Sequence, residues 1–422
     1  FLGIAMADFF DPLESRDPAE REKELFSALP ALISRAQQAS GWAAILKGVD
    51  AQQITSRKAL SQLPVTRKSE LKDLQKASLP FGGLTTTATS KLSRIFMSPG
   101  PLFDPEGHGS DWWRYARPLH ALGVRSGDLI QNCFAYHFTP AGLMVEGGAA
   151  KLGCPIIPAG IGQTEMQVQA MSLLKPKAYV GTPSFLKIII EKALELGDDI
   201  SSVKYALVGA EALPPSLRGW LNEHGVPHVL QTYGSADIGN IAYETISNGH
   251  VNPGMVLDET LILEIVRPGT GEPVPDGEVG EVVITSFNSD YPLVRFATGD
   301  LSAILTGAAP CGRTNLRLKG WMGRADQTTK IRAMFVHPSQ VADILKRHPQ
   351  ILKGRLVVSG EMGNDQMTLH CEVADLNSAS NDAEAIIASI RDVTKLRGEV
   401  KLVAAGSLPN DGKVIEDARS YQ

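Results

Sequence analysis

Residues 204–215, Lys-Tyr-Ala-Leu-Val-Gly-Ala-Glu-Ala-Leu-Pro-Pro, read as a strand that stops at a glycine turn and gives way to a helix beginning near Pro214. A short apolar run closed by Gly and followed by Pro fits a strand-to-helix junction. Downstream, that helix reaches about His224 and a further strand covers Pro227 to Gln231. Upstream, the pattern predicts strands at Leu129–Phe134, at Pro155–Pro158 and at Tyr179-Val-Gly-Thr-Pro. Helices are predicted over Trp112–Leu122, Ala141–Lys151 and Ser184–Leu196. Strands alternating with helices make βαβ units and a mostly parallel sheet. Ligands of such sheets sit beyond the carboxyl ends of the strands. Three loops therefore carry the search for a site: Tyr136–Pro140, Gly209–Leu213 and Tyr233–Gly239.

Flanking segments have other characters. Asp17-Pro18 followed by acidic residues is a helix start, and Leu25, Leu29, Leu32, Ile33 and Ala36 continue it at helical spacing. Residues 255–322 hold β-rich runs, Thr260–Val266 and Gly280–Thr285, between Pro/Gly turns, and predict an antiparallel meander or small barrel. The last hundred residues read as a compact α+β domain: a helix at Pro338–Arg347, strands at Arg355–Ser359 and Met367–Val373, a helix ending near Leu396, and a strand at Val400–Ala404. The expected fold class is α/β. A large N-terminal domain of parallel-sheet layers (residues 6–323) contains the β-rich subdomain, and a small C-terminal domain covers 324–422.

Composition narrows the function. The 422 residues include 43% hydrophobic and 21% charged residues, with a net charge of −5, which suits a globular protein and not a disordered or nucleic-acid-binding one. Apolar runs such as Phe185–Ile190 fall far short of the about 18 residues a membrane span needs. Four dispersed cysteines, Cys133, Cys154, Cys311 and Cys371, point to a reducing, cytoplasmic setting. No basic stretch precedes the apolar residues 1–5, so no signal peptide is expected. Nucleophile-elbow, zinc-protease, dinucleotide and Walker-type phosphate-loop motifs are all missing. His137, at a strand end, reads as a pocket-lining or structural residue before a catalytic one.

Five segments, taken in order, resemble the phenylacetate–CoA ligase branch of the AMP-forming acyl-CoA synthetases. They are Val208-Gly-Ala-Glu-Ala-Leu-Pro, Gln231-Thr-Tyr-Gly-Ser-Ala-Asp, Pro292-Leu-Val-Arg-Phe-Ala-Thr-Gly-Asp, Gly323-Arg-Ala-Asp with Lys330-Ile-Arg, and Leu408-Pro-Asn-Asp-Gly-Lys. Leu63-Pro-Val-Thr-Arg-Lys-Ser-Glu-Leu and residues 158–167 carry weaker echoes, so the resemblance spans nearly the whole chain.

The resemblance implies ATP-dependent activation of an aromatic carboxylic acid to an aryl-AMP, then thioester formation with CoA. Lys413 would be the catalytic lysine and Asp237 the acidic residue that binds Mg²⁺ with ATP. Gly209, Ala210, Glu211, Tyr233, Gly234, Ser235, Asp300 and Arg324 would hold the nucleotide. Tyr136, His137, Phe138, Ala210, Gly234 and Ile238 would line the acyl pocket. Asp326 would be the hinge, and Lys330, Arg332 and Ala333 would border the CoA path. A homodimer is implied as well. Alternatives are an enzyme that loads a carrier-protein thiol and a catalytically silent ligand-binding member.

The chain also departs from the family pattern. The Ser/Thr/Gly-rich phosphate loop ending in Gly-Lys is reduced to Ser98–Gly107, with Asp104 and Glu106 in it, and an outward-turned loop is expected. Asp237 replaces a Glu, Ala236 replaces a hydroxyl that Ser235 would have to supply, and Ala333 replaces a glycine. A zinc site found in some members would have here only His250 and Cys311, with Glu244 and Ala309 in place of further cysteines, so no structural zinc is expected.

Overall fold

The computed structural model describes residues 8–267, 269–322, 324–325, 329–331, 334–336, 338–360, 365–376, 382–409 and 413–419. The chain forms two compact units, residues 1–322 and 323–422.

The first unit opens with the expected helix, Pro18–Ala36, whose N-cap Asp17 accepts hydrogen bonds from the Ala19 and Glu20 amides at 2.8 and 3.1 Å. It next contributes β1 (Thr66–Arg67) and a hairpin of β2 (Arg94–Ser98) and β3 (Leu102–Glu106). Then come β4 (Ile130–Asn132), β5 (Ile156–Pro158), β6 (Ala178–Gly181), β7 (Tyr205–Val208) and β8 (His228–Ser235). These five run parallel in the order β5-β4-β6-β7-β8.

Alternate side chains of these strands feed two separate cores. Ala178, Val180, Leu207 and Leu230 pack with Leu119, Met144 and Val145 on one face. Tyr179, Ala206, Val208 and Val229 pack with Met171, Leu186, Ile190 and Leu217 on the other. A sheet apolar on both faces must be covered on both, which the connecting helices do. One of them, Thr164–Leu174, falls partly in a stretch that reads as a loop in the sequence, and its Val168 and Met171 are buried.

The chain leaves β4 for β5 on one side and then crosses to β6 on the other, so β4 marks the switch in strand order. Crevices at such switches are where open α/β sheets bind ligands, and the Tyr136–Pro140 loop leaves the sheet there.

The β-rich segment divides its strands between two sheets. β13 (Leu261–Val266), β14 (Gly280–Ser286) and β15 (Leu293–Ser302) form an antiparallel meander, with β1 added parallel to β15. This four-stranded sheet, in the order β1-β15-β14-β13, is open, so of the meander or small barrel expected over 255–322 the chain forms the meander, over 261–302. The strands around it extend the large sheet on the far side of β8. They are β9 (Gly239–Tyr243), β12 (Met255–Leu257), β16 (Ile304–Leu305) and β17 (Arg317–Leu318), and they bring that sheet to nine strands. Between β9 and β12 lies a small ribbon of β10 (Ile246–Ser247) and β11 (His250–Val251).

In the second unit, β18 (Thr329–Ile331) and β19 (Met334–Val336) form a hairpin. β20 (Ile351–Ser359), β21 (Gln366–Val373), β22 (Glu399–Ala404) and β23 (Ile415–Asp417) form a sheet in the order β22-β21-β20-β23. Helices Pro338–Arg347 and Ala383–Thr394 supply Ile344 and Ile390 to a core with Leu356 and Leu369. No helix among the described residues is long and apolar enough to cross a membrane.

Candidate nucleotide and acyl site

Three strand ends of the first unit present the sequence-selected residues. After β7, Gly209 is buried, and a Cβ there would come within 3.0 Å of the Thr232 side chain and 3.1 Å of its carbonyl oxygen. Ala210 follows in the left-handed region, at φ +64°, and is exposed. A non-glycine residue with positive φ is uncommon and marks a constrained turn. Glu211 is exposed and accepts a hydrogen bond from Ser184 Oγ at 2.5 Å.

The second end was expected to be a loop from Tyr233 to Gly239. Instead β8 continues through Tyr233 and Gly234 to Ser235 and pairs antiparallel with β9, with a register shift at Tyr233/Gly234. A Cβ on Gly234 would lie 2.4 Å from the Gly239 carbonyl oxygen, so no side chain fits at this close crossing. Ser235 Oγ accepts from the Ile238 amide at 3.3 Å and closes the turn. Ile238, expected at the acyl pocket, is 2% exposed and packs into the hydrophobic core from the turn that joins β8 to β9.

Half-buried Tyr233 points its hydroxyl at Asp300. It donates to Asp300 Oδ2 at 2.9 Å and lies 3.1 Å from Thr298 Oγ1. The Trp321 indole donates to Asp300 Oδ1 at 3.1 Å. Both carboxylate oxygens thus accept a hydrogen bond from a neutral donor, which orients the group. Asp300 owes its place to β15. Earlier in that strand Arg295, 2% exposed, makes paired hydrogen bonds to Glu264 at 2.9 and 3.0 Å. It also donates to the carbonyls of Ser61, Leu63 and Gly271 at 2.9, 2.6 and 2.7 Å. Arg295 is thereby a clamp of the scaffold, not a ligand-facing group.

At the switch in strand order, Tyr136 is half-buried and its hydroxyl accepts from Asn132 Nδ2 at 2.8 Å. Burial, with the neighbouring Glu146 carboxylate, pushes its phenol pKa up. His137 and Phe138 are exposed, and Phe138, with φ +60°, receives the Met97 amide on its carbonyl at 2.9 Å.

Asp237 is 3% exposed, and its Oδ2 accepts from Lys68 Nζ. Burial pulls the Lys68 pKa down, but the charge and hydrogen bond of Asp237, with Asp104 and Asp300, outweigh it and leave the value raised. Asp104, expected to turn outward, is 1% exposed and accepts from Ser98 Oγ at 3.1 Å. Its strand position places it opposite Phe96 on the inward face of the hairpin. Burial and the Asp237 charge raise its pKa, while Lys68 and Ser98 oppose the rise. Lys68 is thus a site residue that the sequence motifs did not single out, and Asp104, assigned to an outward loop, joins it inside. The only signal for Lys68 was the segment Leu63–Leu71, and a signal for Asp104 was the period-2 placement that puts it on the same face as Glu106.

Of the zinc-site candidates, Glu244 is taken by Arg218 at 2.8 and 2.9 Å, Cys311 accepts from Thr245 Oγ1 at 3.4 Å, and His250 is exposed. All four cysteines are buried free thiols.

In the second unit, Lys413 is exposed just before β23, which pairs with β20 at Leu356↔Ile415. The near side of its loop is tied down, because Lys353 and Arg355 both donate to the Pro409 carbonyl, at 2.9 and 3.2 Å. Arg324 is half-buried, and Lys330 lies in β18. Asp326, Arg332 and Ala333 lie outside the described residues.

A family model described as AMP-binding enzyme matches residues 120–288, which takes in the parallel strands and their loops. The phenylacetate-coenzyme A ligase of Thermus thermophilus is 30% identical over 344 residues, 78% of this chain and 75% of that protein. The chain belongs to the phenylacetate–CoA ligase family. That makes it by class an AMP-forming acid–CoA ligase.

The phenylacetate-coenzyme A ligase of Escherichia coli is 28% identical over 384 residues, 84% of each protein. Among solved structures, a 2-hydroxyisobutyryl-CoA ligase in complex with 2-HIB-AMP and CoA gives a TM-score of 0.75 at 24% identity, covering 100% of this chain and 94% of that one. An amide bond synthetase from Marinactinospora thermotolerans gives 0.50 at 17%, covering 94% and 93%. These two likenesses establish a shared mixed α/β fold for this phenylacetate–CoA ligase family member.

Proposed function

We propose that this protein activates an aromatic carboxylic acid with ATP and passes the acyl group to CoA. In the first half-reaction a carboxylate oxygen bonds to the α-phosphorus and the bond to the β-phosphate oxygen breaks, giving aryl-AMP and pyrophosphate. In the second, the CoA thiolate attacks the acyl carbon and AMP leaves. Both steps bring anions together, so fixed donors and positive charge near the developing charge lower the barrier.

The observation that carries this reading is the Asp300 carboxylate, oriented by Tyr233 and Trp321 on a strand that resembles the family's ribose-binding segment. Asp300 accepts the ribose hydroxyls. The Tyr233 ring and the Gly209–Glu211 turn, with Gly234 and Ser235, take the adenine end. Tyr136, His137 and Phe138 border the acid, with Ala210 and Gly234. An aromatic wall suits a flat acid.

Residues 324–422 act as the mobile domain. Lys413 brings its ammonium to the carboxylate and α-phosphate, Arg324 holds ribose or phosphate, and Asp326 is the hinge. Lys330, Arg332 and Ala333 border the CoA path. Magnesium, carried in on the nucleotide phosphates, would screen their charge. The enzyme works in the cytoplasm as a homodimer.

The test is mass spectrometry of the full chain with Mg²⁺·ATP, CoA and a pool of aromatic acids, beside Lys413→Ala. Aryl-AMP and aryl-CoA are expected with the native chain, and the variant is expected to lose about 10²–10³-fold in adenylate formation. Aryl-AMP without aryl-CoA would move the proposal to a carrier-protein thiol. Neither product across the pool would overturn it in favour of a silent ligand-binding member.

A further inference from the structure

The phosphate-side end of the site lacks the backbone cradle of a glycine-rich phosphate loop. The β2–β3 ladder runs without a break from Arg94↔Glu106 to Ser98↔Leu102, so residues 99–101 are all that remain of the turn. No glycine-rich loop is left to wrap a phosphate with backbone amides. The inward face of the hairpin delivers Asp104 instead. Asp237 arrives from the turn after β8, and Lys68 follows β1. Because β1 pairs parallel with β15 in the register Thr66↔Phe296 and Arg67↔Ala297, the chain carries Lys68 on towards the level of Thr298 and Asp300.

The charges in this cluster account for one another. The Lys68 ammonium meets Asp237 and also lies in the fields of Asp104 and Asp300. Burial and the Asp237 charge make Asp104 hold its proton more tightly than an ordinary carboxyl, while Lys68 and Ser98 oppose that rise. A fourth group, the Tyr291 hydroxyl, is 1% exposed and has no hydrogen-bond partner among the described residues, while both Asp237 and Asp104 bear on it electrostatically. It is an open polar atom beside the ion pair, suited to one further oxygen.

These residues do not fit a protein-held divalent metal. Mg²⁺ asks for near-octahedral oxygen ligands. Among the described residues no group of three or more His, Cys, Asp or Glu could hold a metal, and the Asp237 carboxylate is already engaged. We propose that the Lys68 ammonium is the resident cation at Asp237, occupying the position a divalent metal would take, so that this end of the site carries its positive charge on the protein itself. Lys68 is in this view a positioning residue: it holds Asp237 and offers its remaining donors to an incoming phosphate oxygen beside the Tyr291 hydroxyl. The inference rests on the ligase reading for the place of Asp237. Its test uses no substrate, so the two fail separately.

The experiment is Mn²⁺ titration of the full chain, read by electron paramagnetic resonance, for the native protein, Lys68→Met, Asp237→Asn and the double variant. The native chain is expected to show no bound Mn²⁺ that Asp237→Asn removes. Lys68→Met is expected to gain a site at least about tenfold tighter than anything in the native chain, and the double variant to lose it. Native binding as tight as that of Lys68→Met and abolished by Asp237→Asn would overturn the proposal, as would no gain in Lys68→Met. Should Lys68→Met not fold, the native chain carries the test through amine labelling of Lys68, read by peptide mass spectrometry. Labelling unchanged by millimolar Mg²⁺ supports the resident ammonium; labelling that rises with Mg²⁺ shows displacement by the metal and overturns it.

Discussion

Asp300 and Asp237 are both acids near the ends of strands in the same unit, but they are held by different physics. Asp300 is half-exposed and accepts hydrogen bonds from neutral donors, the Tyr233 hydroxyl and the Trp321 indole. Asp237 is buried and fixed by an ammonium, with a second carboxyl, Asp104, close enough to disturb it. Neutral donors orient a carboxylate and leave its charge available to a ligand. A cation cancels that charge, and burial makes the cancellation necessary, because an unpaired buried charge is costly. The first arrangement suits repeated binding and release of hydroxyl groups. The second suits a fixed electrostatic floor.

The comparison can be broken most forcefully at the scaffold of the Asp300 end. Arg295→Ala would leave Glu264 buried without its partner and release three backbone carbonyls, and is expected to destabilise the chain by about 4 kcal/mol. Urea unfolding measures this, and a loss below about 1 kcal/mol would show that the clamp is dispensable to β15.

A smaller effect is expected at the Asp237 end. A carboxyl whose pKa is raised on folding binds its proton more tightly in the native state. Its contribution is therefore complete at low pH and fades as pH climbs from roughly 4 through the raised value. Asp104→Asn removes that titration and should flatten the decline in stability over this window by about 1–2 kcal/mol. Melting temperatures across the pH range, native against variant, would decide it, and parallel profiles would mean that Asp104 is not the group at work.

The mildest test sharpens the contrast. Tyr233→Phe deletes one hydrogen bond to Asp300 while keeping the ring, and should weaken ATP binding by about fivefold, near 1 kcal/mol, with little change in stability. A much larger loss would mean that the hydroxyl itself meets the nucleotide. No loss would mean that Asp300 is oriented without the Tyr233 hydroxyl.

Much of the fold is legible in local sequence because its signals are local. The alternation seen in Ala178–Gly181 and Tyr205–Val208 needs only neighbouring residues, and so do the Asp17-Pro18 cap and the spacing of Leu25, Leu29, Leu32 and Ile33. Misreadings arose where pairing with distant strands decided the outcome. Gly234 looks like a loop residue, yet it lies in a strand because β9 returns alongside it. Met255–Leu257 and Arg317–Leu318 read as part of a β-rich subdomain, but they extend the large sheet through one another and through β9. The helix at Thr164–Leu174 was hidden by a start without a side-chain cap, at Gln163 in the left-handed region.

The sequence by itself determined the order of the five motifs, and with it the resemblance to the family, the turn at Gly209 after a strand, and Asp300 as a candidate ligand-binding acid. These follow from residue type and spacing along the chain. Only the tertiary structure decided that Arg295 is scaffold, that Ile238 is core, and that Asp104 turns inward to join Lys68 and Asp237. The physical reason is that the strength of a charge depends on its burial and on the charges around it. For Lys68 and Asp237 both were set by strands drawn together from opposite halves of the first unit.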